Sequence, residues 1–105
     1  MPEDLAWLQD WYIAQCDGHW EHECGIHIST LDNPGWRIEI DLAETEMSEL
    51  SVARVFTERS EHDWIAYEVT NQKFIAHAGP TGLSEMLARF RQIATTFNRS
   101  GTRSG

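Results

Sequence analysis

From Cys24 to Ala78 the apolar residues recur mainly at every second position, and on either side of this stretch they recur every three or four. A chain patterned in this way has to set a sheet between two helices, with one apolar face of the sheet available for burial. In the first alternating run Ile26, Ile28 and Thr30 share one face and His27, Ser29 and Leu31 the other. Asp32-Asn33-Pro34-Gly35 interrupts it, with Pro34 suited to position i+1 of a tight turn and Gly35 to the positive-φ position i+2 of type II. The chain should therefore reverse into a second strand that points Trp36, Ile38, Ile40 and Leu42 inward and Arg37, Glu39 and Asp41 outward.

Beyond an acidic connection over residues 43–50, the segments 52–59, 64–70 and 73–78 read as further strands, and their short connections favour a meander. Residues 3–16 read as an amphipathic helix with Leu5, Leu8 and Tyr12 on its stripe, Trp7 and Trp11 beside it, and Glu3 and Asp4 near its positive end. Gly18 suits the stop. Leu83, Met86, Leu87, Phe90, Ile93, Ala94 and Phe97 mark a second helix. The expected fold is α+β: an N-terminal helix, a five-stranded antiparallel meander sheet and a C-terminal helix, both helices packed on one sheet face. It should occupy residues 1–98 as a single domain, with a disordered tail over 99–105.

Charge narrows the range of partners. The first 50 residues hold twelve acidic side chains against Arg37 alone, and the whole chain carries a net −9. Phosphate binding rests on Lys and Arg, so nucleic acid is disfavoured and a basic protein surface is favoured. Met-Pro-Glu-Asp carries acid where a signal peptide carries base, and no apolar run approaches the ~20 residues that span a bilayer, so a cytoplasmic protein without a membrane partner is expected.

The densest polar segment is Asp17-Gly18-His19-Trp20-Glu21-His22-Glu23-Cys24. Its carboxylates, imidazoles and thiol suggest a metal site, yet in an extended chain His19 and Glu21 would face away from His22 and Cys24. Cys16 with His19 or His22 suggests a thiol enzyme, but a helix C-terminus disfavours the thiolate, and packing is the better role for both cysteines. Glu39 and Asp41 sit about 7 Å apart on one strand face, as any alternating strand arranges. Phosphate-binding glycine loops, nucleophile elbows and His-Glu-x-x-His are missing, so no catalytic residue, cofactor or metal ligand is assigned. Trp20 is the tryptophan best placed either to anchor an interface or to plug the end of the sheet.

The strings Leu8-Gln9-Asp10-Trp11-Tyr12, Trp20-Glu21-His22, Leu31-Asp32-Asn33-Pro34-Gly35-Trp36, Ile40-Asp41-Leu42 and Asp63-Trp64-Ile65 resemble the immunity protein 53 family, from about Leu5 to Phe97. The resemblance implies a non-catalytic antidote that binds a polymorphic toxin domain inside the producing bacterium. It supplies no list of contacts, and Trp20, Glu21, His22, Asp32, Pro34, Gly35 and Trp36 are equally suited to maintaining the fold. With the acidic half taken into account, the expected partner-binding residues are Asp17, Trp20, Glu21, His22, Glu23, Asp32, Glu39 and Asp41, with Asp17, Glu21, Glu23, Glu39 and Asp41 standing in for substrate phosphates. A homodimer through the solvent face of the sheet fits the same pattern.

Overall fold

The computed structural model describes the backbone of residues 2–32 and 34–104 and the side chains of residues 3–32 and 34–97. Its elements are α1 (Pro2–Gln15), α2 (Trp20–Glu23), β1 (Ile26–Leu31), β2 (Gly35–Asp41), β3 (Val52–Ser60), β4 (Asp63–Thr70), β5 (Lys73–Ala78) and α3 (Leu83–Ser104). The architecture is α+β, with a helix before and a helix after one open antiparallel sheet of five strands. The backbone of α3 is helical through Ser104, over residues read from sequence as a tail.

The strand order is β1-β2-β5-β4-β3, so the sheet is not a sequential meander. β3, β4 and β5 do form one, but β5 inserts beside β2 and sends β3 to the far edge. Residues 42–51 provide the span for that crossing. β4 and β5 are joined through Asn71 and Gln72, both at positive φ (52° and 61°). Two consecutive left-handed residues give the turn whose twist matches that of the strands, and asparagine adopts that region readily.

Registers fix what each face carries. Trp36, Ile38 and Ile40 stand opposite Ala78, Ala76 and Phe74, and these stand opposite Ile65, Tyr67 and Val69. This inner face meets α3, whose Phe90 packs on Phe74 with ring centroids 5.1 Å apart. On its other side Phe90 receives the edges of Trp11 (5.1 Å) and Trp7 (5.8 Å) from α1, so both helices lie on the inner side and α1 reaches the core largely through α3. The buried ridge of α1 is Leu8 and Trp11, while Leu5 and Tyr12 of the expected stripe are about half-exposed. The broad indoles bury more apolar area against Phe90 than Leu5 could, and this sets the helix rotation.

Gly35 departs from its expected role. Gly18 alone among the described glycines has a positive φ, and Gly35 opens β2 where a Cβ would lie 2.5 Å from the Ala78 carbonyl oxygen. The constraint is close approach of β5, not turn handedness.

Candidate functional site

The junction of α2 with β1, the connection from β2 to β3 and the Asn71-Gln72 turn all lie at one end of the sheet, because Ile26 pairs with Ile40, Asp41 with Lys73 and Val52 with Val69. This end gathers Asp17, Glu21, Glu23, Glu39, Asp41, Glu44, Glu46 and Glu49, eight of the seventeen acidic residues. Asp32, in the β1–β2 turn beside Leu31 and Gly35, lies at the opposite end and is separated from them.

Residues 17–23, read from sequence as an extended polar loop, fold into a tight turn and the single helical turn of α2. The cause is reciprocal capping. Asp17 Oδ1 accepts from the backbone N–H groups of His19 and Trp20, both at 3.0 Å, while the Glu21 carboxylate accepts from those of Asp17 (2.9 Å) and Gly18 (2.8 Å). Backbone donors hold both acids below their ordinary range: those of Trp20 and then His19 for Asp17, and its own N–H first, then those of Asp17 and Gly18, for Glu21. Their charge therefore persists well into acid even though their hydrogen bonds are local.

Trp20 is not a surface anchor. It is 1% exposed, its ring edge-on to Trp11 (5.9 Å, 86°) and near Tyr12 (5.9 Å), and it pins α2 beneath α1. The apolar environment between α1 and the sheet end outweighs the polar neighbours in sequence. Its Nε1 and that of Trp11 find no acceptor among the described residues, a cost offset by the area these rings bury.

His22 and Glu23 are exposed on α2. The connection beyond β2 adds to this acidic end. Leu42, Thr45 and Met47 are buried and hold it through successive i to i+3 turns, so Glu44, Glu46 and Glu49 point to solvent. Glu44 lies 3.3 Å from His19, tying the connection to the α2 turn. In the sequence, Glu44 and Glu46 alternate with Thr45 and Met47, a period-2 signal that points these two acids outward, whereas Glu49 lies outside that alternation.

Glu39 and Asp41 are outward on the sheet as expected, but they are neutralised within the molecule. Lys73 lies 2.6 Å from Asp41 and 3.0 Å from Glu39, and Arg37 lies 3.0 Å from Glu39. Lys73 first and then Arg37 lower the Glu39 carboxyl, and the Lys73 ammonium is raised by Asp41 and then Glu39. Asp41 also accepts from the Gly25 N–H at 2.9 Å, which fixes where β1 begins. The open outer face continues through His77, whose imidazole is lowered by burial and then by Arg37 and Arg54, to Phe56, 55% exposed. Adjacent apolar residues Val55-Phe56 in one strand point to opposite faces, so one had to lie on the uncovered side.

The cysteines form no disulfide. Cys16, expected to be packed, is exposed at the end of α1, its thiol donating to the Tyr12 carbonyl at 3.3 Å. Cys24 is half-buried, and burial followed by Asp41, Glu44 and Glu23 pushes its thiol up, away from the nucleophilic thiolate. Among the described residues no three His, Cys, Asp or Glu groups converge as metal ligands. An apolar groove of about 430 Å³ opens between α3 and the β3–β4 side, lined by Leu50, Val52, Tyr67, Gln92, Ile93, Thr96 and Phe97. No helix among the described residues is long and apolar enough to cross a membrane.

No curated protein and no solved structure matches this chain. The family model for Immunity protein 53 matches residues 5–95, covering most of α1, all of α2, the whole sheet and most of α3. The chain belongs to the immunity protein 53 family.

Proposed function

We propose that this protein neutralises a cognate polymorphic toxin domain in the bacterial cytoplasm by binding it, without catalysing a reaction, and that the acidic end of the sheet makes the first contact. Membership of the immunity family carries the binding role. The concentration of Asp17, Glu21, Glu23, Glu44, Glu46 and Glu49 at one end supports a cationic target surface, such as that of a nuclease built to hold phosphates. His22 lies within this surface. Glu39 and Asp41 form its internally compensated margin, Trp20 supports it from beneath, and Asp32 would contribute only to a toxin that wraps to the far end.

A metal- or thiol-dependent enzyme built on residues 16–24 is less well supported. One Asp17 oxygen and both Glu21 oxygens accept from backbone donors, and burial pushes the Cys24 thiol up, away from the thiolate.

The test is growth of cells expressing the toxin domain from the neighbouring open reading frame, with and without this protein, followed by size exclusion of the mixed pair. Rescue with a co-eluting complex is the expected result. Lack of both rescue and complex with every neighbouring candidate would overturn the reading.

A further inference from the structure

We infer that the free edge of β3 is a self-complementary surface on which a second copy of the chain pairs, extending the sheet across a two-fold axis at Phe56. This inference does not depend on the identity or existence of a toxin. β3 is an edge strand, and residues 53–60 are exposed along their length. An edge of this kind presents a row of backbone donors and acceptors with no strand beside it. Register shifts lie between Val52 and Val55 and between Glu58 and Ser60, leaving Val55–Glu58 in regular pairing with β4.

The side chains specify what can pair there. Arg59 is committed to Asp63 and Glu85, whereas Arg54 and Glu58 make no ion pair among the described residues. Glu58 and Phe56 lie on the outer face opposite Trp64 and Ala66, and Arg54 faces the same side, where its charge acts on His77. Arg54 and Glu58 are thus equidistant in sequence from Phe56 and of opposite sign. When β3 runs antiparallel to its own copy about Phe56, each Arg54 stands opposite the other copy's Glu58, and the two Phe56 rings, each 55% exposed in the single chain, meet between these pairs. Val55 would face Thr57 on the inner side. Any one-residue slip separates the charge pairs and moves the rings to opposite faces. The other edge, β1 (Ile26–Leu31), carries no Asp, Glu, Lys or Arg and has no such symmetry.

The test is sedimentation equilibrium of the full chain from micromolar to millimolar concentration, with far-UV circular dichroism confirming the fold of each variant. The wild-type chain should reach the mass of two copies. Each single reversal, Arg54→Glu or Glu58→Arg, creates two like-charge contacts across the axis and should weaken dimerisation by about tenfold or more. The double reversal R54E/E58R restores opposite signs and should return the dissociation constant to within about threefold of wild type. Phe56→Lys provides an independent check and should leave monomer. A wild-type chain that stays monomeric to millimolar concentration, or a dimer indifferent to the single reversals, overturns the inference. So does a monomer whose complex with the toxin domain is weakened by the same reversals, since the edge would then belong to the toxin.

Discussion

Two groups of carboxylates looked alike in the sequence, and the structure gives them opposite roles. At the α2 turn, Asp17 and Glu21 are satisfied by backbone N–H groups, which contribute hydrogen bonds but no compensating cation, and Glu23, Glu44, Glu46 and Glu49 around them face water. On the outer sheet face, Glu39 and Asp41 are matched by Lys73 and Arg37 within about 3 Å. A backbone donor keeps a carboxylate ionised and leaves its field intact, whereas a neighbouring cation cancels most of it at range. Formal charge counted along a chain is therefore a poor guide to the potential a partner meets.

The largest effect should come from removing the support of the acidic end. Trp20→Ala leaves a cavity between α1 and α2 and should cost about 3–5 kcal/mol in chemical unfolding, with loss of toxin binding following from loss of the α2 geometry. If stability fell by under ~1 kcal/mol, the ring would not be the anchor that its 1% exposure indicates.

Next in size is the contrast between the two acidic groups themselves. Neutralising the solvent-facing acids in the variant E23Q/E44Q/E46Q should slow association with the toxin domain about tenfold at low salt and leave dissociation nearly unchanged. Lys73→Met should act in the opposite sense, lowering stability by about 1 kcal/mol, discounted for exposure, while leaving the association rate within about twofold. Equal effects of the two variants on association would erase the distinction between the regions.

Acid should expose the difference at smaller amplitude. Glu39 titrates below its ordinary 4.5 because the folded state favours its charged form, so its contribution is complete above that pH and is lost as pH falls through the folded value. His77 is also lowered, here because burial disfavours its charged form. The unfolded chain then takes up the proton first, and stability begins to fall as pH drops through 6.5. His77→Gln should flatten the stability profile as pH falls through 6.5 and leave the decline below pH 4.5 in place.

Much of the fold was legible because period-2 runs and apolar stripes report burial directly. The β2 pattern Trp36, Ile38, Ile40 and the α3 stripe through Phe90 are found where alternation and helical spacing put them. The crossing of β3 to the far edge was not legible, since a ten-residue connection is long enough for either neighbour and only the packing of Phe74, Ala76 and Ala78 at the centre decides between them. α2 was missed because Asp17-Gly18 reads as the end of one helix, and Asp17 and Glu21, which bond each other's neighbouring backbone in the structure, stand four residues apart, one more than the spacing of the capping-box signal. For the candidate site, sequence located the polar segment 17–23 but could not show which acids would meet a cation, because Lys73 reaches Glu39 and Asp41 only through sheet pairing with β5.

The most direct test of the central claim is the association rate of the toxin domain with wild-type protein, E23Q/E44Q/E46Q and the charge-balanced variant D41N/K73M, which removes a carboxylate together with its ammonium, each measured from low to physiological ionic strength by stopped flow. Steering by the acidic end predicts a steep fall with salt for wild type and D41N/K73M, and a slow, nearly flat response for E23Q/E44Q/E46Q. A wild-type rate insensitive to salt, or a loss of salt dependence in D41N/K73M instead, would contradict it.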